Sequence, residues 1–502
     1  MLALWLALLL AAWGAVVGSA GAFTGRQDLS ESGERGVHAA SVFVAMSLAG
    51  LANALAVGDL TYRYVASWSS SLTPLPYRLG AVWAGPSGSL LVWALVLGVG
   101  SSVAAATLPR RGTLLAWTTA VLAILLLAVL GMACFDTNPF TRLQFAPDDG
   151  RGLLLEWMRP VVLVQMPLGY LATAMLSVPA VMVVMGALGG VDSWRDDARR
   201  WVIASWALLA AAMLLDWRRA YGVGEWVDDW RWAPVHAGTA FAWVGASLLV
   251  VAVLRRWPVA ATIGAGFVAF VLGLCGLTLR RANGWDGVHA FALTAPGRAT
   301  GWVLLVGVIV AVVAGVRALR ADAARGLGAR AWLTAQLSAL AVAIALTAAG
   351  YPRVADLALS EGTQEKVIDR FGTPWALSLE GVSAVGRGDV VSRVVAMRAT
   401  VNGRARAFVV SELQDLYVGD SRTAVEELTV AGIASSLAQD LRVDVRETNT
   451  ADAIVGVRFV PGVAWIWIAG LLVVIAAFVA AFAPAPAPVG APESPSAIEE
   501  VA

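Results

Sequence analysis

One segment of this sequence concentrates side chains that could hold a flat aromatic ligand. Five tryptophans fall between positions 217 and 243, namely Trp217, Trp226, Trp230, Trp232 and Trp243. Indole rings offer broad apolar faces for stacking, and they also favour membrane–water interfaces because one edge of the ring is polar. The pattern therefore predicts either a binding surface for a planar ligand, such as a porphyrin, or an aromatic belt at a membrane surface.

Arginines accompany these tryptophans. Arg218, Arg219 and Arg231 lie in the same segment, and Arg280 and Arg281 follow a later apolar run. The guanidinium group presents a rigid fork of donors that matches the geometry of a carboxylate. These five residues therefore predict an anionic ligand, although any one of them could instead be a solvated cation at the membrane interface.

The elements that must position these side chains are membrane helices. The chain of 502 residues is 59% hydrophobic and 14% charged, against about 25% charged residues in soluble domains. Its apolar runs are long enough to cross a hydrocarbon layer of roughly 30 Å, and in lipid such runs must be helical. Eleven transmembrane helices are predicted over residues 2–23, 37–57, 86–108, 113–134, 160–189, 200–215, 236–254, 258–279, 300–318, 331–350 and 463–483.

The arginines between these runs predict the orientation of the chain. Arg110, Arg111, Arg255 and Arg256 fall on one side if every run crosses, and that side is predicted to be cytoplasmic. The Trp-rich segment then lies on the outer face. We expect the run 2–23 to be a helix rather than a signal peptide, because it is long and no basic residue precedes it.

A different pattern predicts a β-rich extracytoplasmic domain over residues 351–462. Residues 393–401 and 405–410 alternate apolar and polar side chains around Asn402-Gly403, which is typical of a β-hairpin. The predicted fold is an all-α polytopic membrane protein with this small domain before the last helix. Its parts are a membrane domain at 1–350 with ten helices and the Trp-rich loop 216–243, the β-rich domain, the last helix 463–483, and a disordered tail at 484–502.

Charge and cysteine content exclude other classes of function. The formal net charge of +1 argues against nucleic acid as a partner. The two cysteines, Cys134 and Cys275, are too few for a metal cluster or a disulfide framework. We expect both to be small buried hydrophobic residues.

The segment 226–243 resembles the tryptophan-rich WWD signature of the haem-handling proteins of cytochrome c biogenesis, of the CcmF/CcsA type. The matching positions are Trp226, Trp230, Trp232, Pro234, Val235 and Trp243, and the departures are Ala233, His236 and Ala242. Further blocks resemble the larger CcmF branch in the right order. They are residues 59–66 with 75–78, 83–93, 138–143 with 149–150, 165–179, 281–292 and 465–467.

This resemblance implies a function in cytochrome c maturation. It implies that the protein binds b-type haem transiently at the outer face and presents it to apocytochrome c, as a subunit of a haem lyase. The implied partners are apocytochrome c, a haem chaperone, thiol-reducing subunits and membrane lipid. The implied location is the bacterial cytoplasmic membrane.

The family places histidines at two outer positions and at two positions within the membrane. Only His289 keeps its place here, because Gln165 stands at the other outer position and Val251 and Gln336 stand at the membrane positions. Histidine is the usual axial ligand of haem iron, and valine cannot ligate iron. The membrane-embedded haem of the family therefore lacks its ligands, whereas the outer site keeps one.

New residues could complete the outer site. His236 is predicted as a second iron ligand, although a hydrogen bond at a helix start is an alternative interpretation. Met166 is another candidate, since thioether ligation occurs in cytochromes c, and His38 is expected to be incidental. The remaining predicted cofactor-binding residues are Tyr221, Gln165, Trp226, Trp230, Trp232, Trp243, Arg231 and Arg281.

Two other functions remain open. The lost histidines favour a haem-free paralogue that acts as a scaffold or regulator of the assembly complex. A haem transporter is the third hypothesis, but the apolar runs hold almost no ionisable residues, which usually mark a translocation path.

Overall fold

The computed structural model describes residues 1–108, 113–153, 155–189, 194–222, 234–279, 354–369, 371–387, 390–417 and 426–482. Helices occupy the first part of the chain and its last described segment, and β-strands lie between them. The helices are α1 (Leu2–Thr24), α2 (Gln27–Val57), α3 (Arg63–Trp68), α4 (Leu75–Gly80), α5 (Pro86–Thr107), α6 (Thr113–Gly131), α7 (Val162–Met175), α8 (Ser177–Leu188), α9 (Trp194–Gly222), α10 (Pro234–Leu254), α11 (Val259–Leu279) and α12 (Val463–Phe482).

Six segments of the described chain are long and apolar enough to cross a membrane. They are α1, α2, α5, α6 with its extension to Asp136, the joined pair α7 and α8, and α9. The helices α10, α11 and α12 coincide with three more predicted runs. The predicted runs 300–318 and 331–350 lie outside the described residues, so the number eleven remains a prediction.

Helix ends depart from the predicted runs where polar residues continue a helix beyond its apolar part. Helix α2 begins at Gln27, ten residues before the predicted run, and α9 covers Trp194–Gly222 rather than 200–215. Window hydropathy cannot detect such extensions, because the backbone hydrogen bonds of a helix continue whether or not its side chains lie in lipid.

The predicted run 160–189 is divided into two helices by proline chemistry. Pro179 has no N–H group, so it cannot donate to the carbonyl of Met175 one turn earlier. The helix is interrupted at Leu176, and the Ser205 hydroxyl of α9 donates to the Met175 carbonyl over 3.4 Å. Helix α9 thus packs against this break.

Several sequence blocks that are distant along the chain meet in a cap at one end of the helices. The Tyr64 hydroxyl accepts the Gly85 N–H over 3.0 Å and donates to the Ala81 carbonyl over 2.8 Å. Thr61 and Leu143 share a backbone hydrogen bond of 2.8 Å. The blocks 59–66, 83–93 and 138–143 are therefore parts of a single structure, whose loops hold one another in place.

The strands form two antiparallel sheets. One has the order β1 (Ala355–Ser360), β9 (Asp452–Pro461), β8 (Gln439–Thr448), β7 (Gly432–Ala434), and the other has the order β2 (Gln364–Ile368), β3 (Pro374–Arg387), β4 (Val390–Val401), β5 (Arg404–Leu416), β6 (Glu426–Val430). The predicted hairpin is present as β4 and β5. Asn402 and Gly403 both adopt positive φ angles, of 49° and 75°, as a tight two-residue turn requires.

This β domain is too large for the all-α description. Nine strands occupy most of the described residues between 355 and 461, and they enclose a separate apolar core that includes Leu377, Met397 and Phe459. The chain therefore combines a helical membrane part with a β-rich domain. The apolar residues that face this core alternate along the strands, as period-two patterning requires.

Among the described residues, two apolar clusters join the β domain to the helical part. Leu416 and Leu428 pack on Leu155, in the segment that leads into α7. Val460 and Val463 pack on Ala220 and Tyr221, at the end of α9. We call the membrane face from which the domain projects the β-domain side.

Candidate functional site

The Trp-rich segment begins where α9 ends on the β-domain side. Helix α9 stops at Gly222 and α10 begins at Pro234. The predicted residues Trp226, Trp230, Arg231, Trp232, Arg280, Arg281, His289 and Gln336 lie outside the described residues. The backbone of His236 is in the first turn of α10, and its side chain also lies outside them. The described flanks of the segment are therefore Tyr221 and Trp243.

Tyr221 is held by the β domain. Its side chain is 1% exposed, and its hydroxyl donates to the Asp440 carboxylate over 3.1 Å. Its backbone carbonyl accepts a hydrogen bond from the Arg442 guanidinium, and the Gly222 carbonyl accepts the Ala431 N–H over 3.1 Å. The last carbonyls of a helix have no partner within the helix. Two of those in α9 are satisfied by the β domain, which fixes the point where the Trp-rich segment starts.

A buried charge network lies behind this contact. Arg442 and Asp444 form an ion pair with 2.9 Å between Nη2 and Oδ1, and Arg458 forms a second ion pair with Asp444. Burial raises the pKa of the Asp440 carboxyl above its ordinary value, even though the Tyr221 hydroxyl bond opposes this change. Buried charges that are paired in this way make removal of one partner costly. The contact with α9 is therefore a fixed joint.

Aromatic rings and an arginine continue the site towards α12. The rings of Tyr221 and Trp467 have centroids 6.0 Å apart, and the Arg218 guanidinium lies 6.0 Å from each ring. Arg218 was predicted to face a carboxylate ligand. The structure places it at the surface, over two aromatic rings, in a position that suits a cation–π contact. Trp467 belongs to the block 465–467, which the resemblance had already singled out.

Gln165 lies against the same end of α9. Its side chain is 1% exposed, and Nε2 donates to Asp216 Oδ1 over 2.8 Å. Asp216 Oδ1 is also 3.9 Å from Nε of Arg219, one turn further along α9, and both residues are buried. Within the described residues, Gln165 Oε1 is buried without a hydrogen-bond partner. An unsatisfied buried acceptor of this kind is uncommon and marks a position that could accept a ligand contact.

Sequence reasoning missed Asp216. It directly follows the apolar run 200–215, and an acidic residue in or beside a membrane segment is a signal for a polar contact. Its partner Gln165 comes from a helix 51 positions earlier in the chain. No local pattern could have identified that pairing.

The side chains of Met166 and Gln165 are neighbours in sequence but lie in different surroundings. Met166 is buried in the apolar core shared by α1, α2 and α5, together with Tyr64 and Tyr170, whereas Gln165 faces α9. Successive residues on a helix point about 100° apart, because a turn takes 3.6 residues. The Met166 thioether therefore lies in a different environment from the Gln165 amide.

Trp243 and Val251 lie deeper in α10, in the core of the second helix group. Trp243 is buried with its ring centroid 5.7 Å from that of Trp206. The Ser247 hydroxyl accepts from Trp206 Nε1 over 2.7 Å and donates to the Trp243 carbonyl over 2.8 Å. Val251 is packed in the same core. This side chain offers no donor atom, so the described part of α10 does not fit an iron ligand at this depth.

The remaining single-residue predictions concern His38, Cys134 and Cys275. His38, on α2, has Nδ1 2.7 Å from the Ser102 hydroxyl and Nε2 3.4 Å from Glu34. It is thus engaged within the helical bundle. Cys134 is buried in the core, and the side chain of Cys275 lies outside the described residues.

Comparison with known proteins finds cytochrome c-type biogenesis proteins as relatives. The cytochrome c-type biogenesis protein CcmF of Pseudomonas aeruginosa is 31% identical over 305 residues, which make up 58% of this chain and 46% of that protein. CcmF of Escherichia coli is 34% identical over 260 residues, 49% of this chain and 40% of that protein. CycK of Rhizobium meliloti, also a cytochrome c-type biogenesis protein, is 32% identical over 301 residues, 57% of this chain and 43% of that protein. The chain spans less than half the length of these relatives, and no protein-family model matches it.

A solved structure extends the likeness to the whole fold. The structure titled Cytochrome c Heme Lyase CcmF superposes with a TM-score of 0.68 over 96% of this chain and 97% of that chain, at 16% identity. The predicted resemblance to the CcmF branch is thus confirmed, and so is a multi-pass helical membrane fold that carries a β-rich domain.

Proposed function

We propose that this chain, a relative of the CcmF-type cytochrome c biogenesis proteins, binds haem on the β-domain side of the membrane and presents it to apocytochrome c. The observation that carries the proposal is the convergence at the end of α9. The buried group of Gln165, Asp216 and Arg219 lies on one face of the last turns of α9, and the aromatic pair Tyr221 and Trp467 lies on another, next to the point where the Trp-rich segment begins. Stacking faces, carboxylate-binding cations and a polar contact are what a haem requires.

Each group has a proposed part in holding the cofactor. The tryptophans Trp226, Trp230 and Trp232 provide the stacking surface, and Arg218, Arg231 and Arg281 pair with the propionates. His289 and His236 are the proposed axial ligands. The β domain contributes by fixing Tyr221, so that this surface is held in one orientation before haem arrives.

When bound, b-type haem supplies the vinyl groups to which the cysteine thiols of apocytochrome c add. The chain binds, orients and shields the cofactor, since the reactive chemistry belongs to the cofactor and its substrate. We place the protein in the bacterial cytoplasmic membrane with the β-domain side outward. A haem chaperone and thiol-reducing proteins of the maturation system are the proposed partners.

Val251 limits the proposal to one site. The side chain that stands in place of a family histidine is packed among apolar residues and cannot ligate iron. The proposal therefore assigns no haem to the membrane interior. It assigns transiently bound haem to the β-domain side alone.

The reduced pyridine haemochrome spectrum of the purified protein tests this function. The protein is taken in mild detergent from a haem-replete host and compared with His289→Ala and His236→Ala, with His38→Ala as the matched control on another helix. We expect haem in the parent and in the control, and its loss in His289→Ala.

A folded parent protein without haem would overturn the proposal and favour the second candidate, a haem-free scaffold of the assembly complex. Two observations favour that candidate. Val251 is an apolar core residue, and the Gln165 amide nitrogen is engaged with Asp216.

A further inference from the structure

Two turns of the β domain expose large apolar side chains. Ile368, the last residue of β2, is 62% exposed, Phe371 in the turn that follows is 68% exposed, and Leu437 in the turn before β8 is 58% exposed. Single exposed apolar residues are ordinary on any protein surface. These three residues lie on two segments that the Gln439–Asp369 hydrogen bond joins at one end of the domain, and we call them the apolar tips.

Hydrogen bonds tie both turns to the point where the chain enters α12. The Gly462 N–H donates to the Ala438 carbonyl over 2.9 Å, and Gln439 is paired with Pro461 in the β8–β9 ladder. The Gln439 side chain donates to the Asp369 carboxylate over 2.7 Å. The apolar tips are thus at the end of the domain from which α12 departs.

The turn that carries Phe371 is rigid. The Asp369 carboxylate accepts the N–H groups of Phe371 and Thr373 over 2.8 and 2.9 Å, and the indole N–H of Trp375 over 3.0 Å. A carboxylate that accepts this many bonds fixes the turn as an Asx-type motif does. The exposure of Phe371 is therefore built into the turn and is not the result of a loose loop.

The length of α12 places the patch relative to the bilayer. Its 20 residues span about 30 Å at 1.5 Å per residue, which equals the hydrocarbon thickness. If α12 crosses the bilayer along its normal, Gly462 would lie at the boundary of the hydrocarbon, and Leu437, next to its partner Ala438, would lie at the depth of the lipid head groups.

We propose that the apolar tips Ile368, Phe371 and Leu437 insert into the lipid leaflet on the β-domain side. Phenylalanine and leucine are the residues with which interfacial segments bury an apolar face at the head-group boundary. The domain would then be held by its contact with Leu155, by its contact with the end of α9, and by its contact with lipid. This inference is independent of haem binding, because none of the three residues belongs to the proposed cofactor site.

Depth-dependent fluorescence quenching tests the proposal on the full-length chain. Phe371→Cys and Leu437→Cys are made in a Cys134→Ser, Cys275→Ser background, labelled with an environment-sensitive fluorophore and placed in phosphatidylcholine–phosphatidylglycerol nanodiscs. Ile454→Cys is the matched control, since it is 40% exposed near the opposite end of β9 from Pro461.

Nitroxide lipids labelled near the head group should quench the label at positions 371 and 437 several-fold more than the label at 454. Equal quenching at all three positions would overturn the proposal. So would labels at 371 and 437 that stay unquenched in nanodiscs and are shielded only when other maturation proteins are added, because a protein partner would then cover the tips. Thermal melts of the labelled variants confirm that each is folded.

Discussion

The hydroxyl of Tyr221 donates to the carboxylate of Asp440 over 3.1 Å, although 219 positions separate these residues along the chain. This bond joins the last turn of α9 to the start of strand β8. Because Arg442 binds the Tyr221 carbonyl next to it, both the side chain and the backbone of Tyr221 are held by the β domain. A loop that starts at such a joint has one fixed end.

Replacing Tyr221 by Phe should weaken this joint. The buried Asp440 carboxylate would lose a donor, and an unsatisfied buried group costs about 1–3 kcal/mol. Thermal melts in detergent should show a clear fall in Tm. Tyr62→Phe is the matched control, because its hydroxyl accepts a long, exposed hydrogen bond of 3.5 Å from Arg142, and its loss should change Tm little. Equal Tm values for the two variants would show that the Tyr221–Asp440 hydrogen bond does not stabilise the contact between α9 and the β domain.

The contribution of Asp440 to folding stability should depend on pH. Burial raises the pKa of its carboxyl in the folded protein, while the unfolded value is about 3.9. A raised folded pKa contributes stability that is complete below the unfolded pKa and is lost as pH rises through the folded pKa. The stability of the parent relative to Asp440→Asn should therefore fall as pH rises from about 4.

Asp369, in the same domain, should make folding stability depend on pH in the opposite direction. Burial alone would raise the pKa of Asp369, but hydrogen bonds from Thr373, Trp375 and Gln439 outweigh it and hold the pKa below the ordinary value. The stability of the parent relative to Asp369→Asn should be present at neutral pH and lost as pH falls into the acid range. Tm measured against pH for both variants checks the two signs, and parallel curves would refute the assignment.

Gln165→His should raise haem content if the proposed function is right. One imidazole nitrogen could donate to Asp216 as the amide does now, which leaves the other free to face a ligand. The pyridine haemochrome yield should increase and the Soret band should shift. Met166→His is the matched control on the neighbouring position, which faces the apolar core, and it should bring no such gain. An unchanged yield in Gln165→His would count against a haem position beside α9.

Gly88→Ala should disrupt the cap. A Cβ atom on Gly88 would lie 1.7 Å from the Val82 carbonyl oxygen, which is backbone and cannot move aside cheaply. We expect loss of folded protein, measured as the monodisperse fraction by size-exclusion chromatography. Gly131→Ala, on α6, has nothing within 4 Å of the added atom and should express like the parent. If both variants express normally, the close approach at Gly88 is not required.

Local structure could be predicted from the amino-acid sequence alone. Long apolar runs predicted α1, α5, α6, α10, α11 and α12 to within a few residues, because each helix satisfies its own backbone in lipid. Asn402-Gly403 likewise predicted its hairpin, since its backbone angles are a property of those two residues. The tryptophan pattern and its neighbouring blocks were enough to indicate the CcmF branch, which the comparisons confirm.

The contacts at the end of α9 could not be predicted from the sequence, because they depend on how the chain folds. The pairs Gln165–Asp216 and Tyr221–Asp440 join elements far apart in sequence, and Met166 is directed away from its neighbour by helix geometry. Hydrophobic periodicity records which face of an element is buried, but not which partner covers it. That choice depends on how helices and sheets pack together, so the polar contacts that anchor the site appear only in the folded chain.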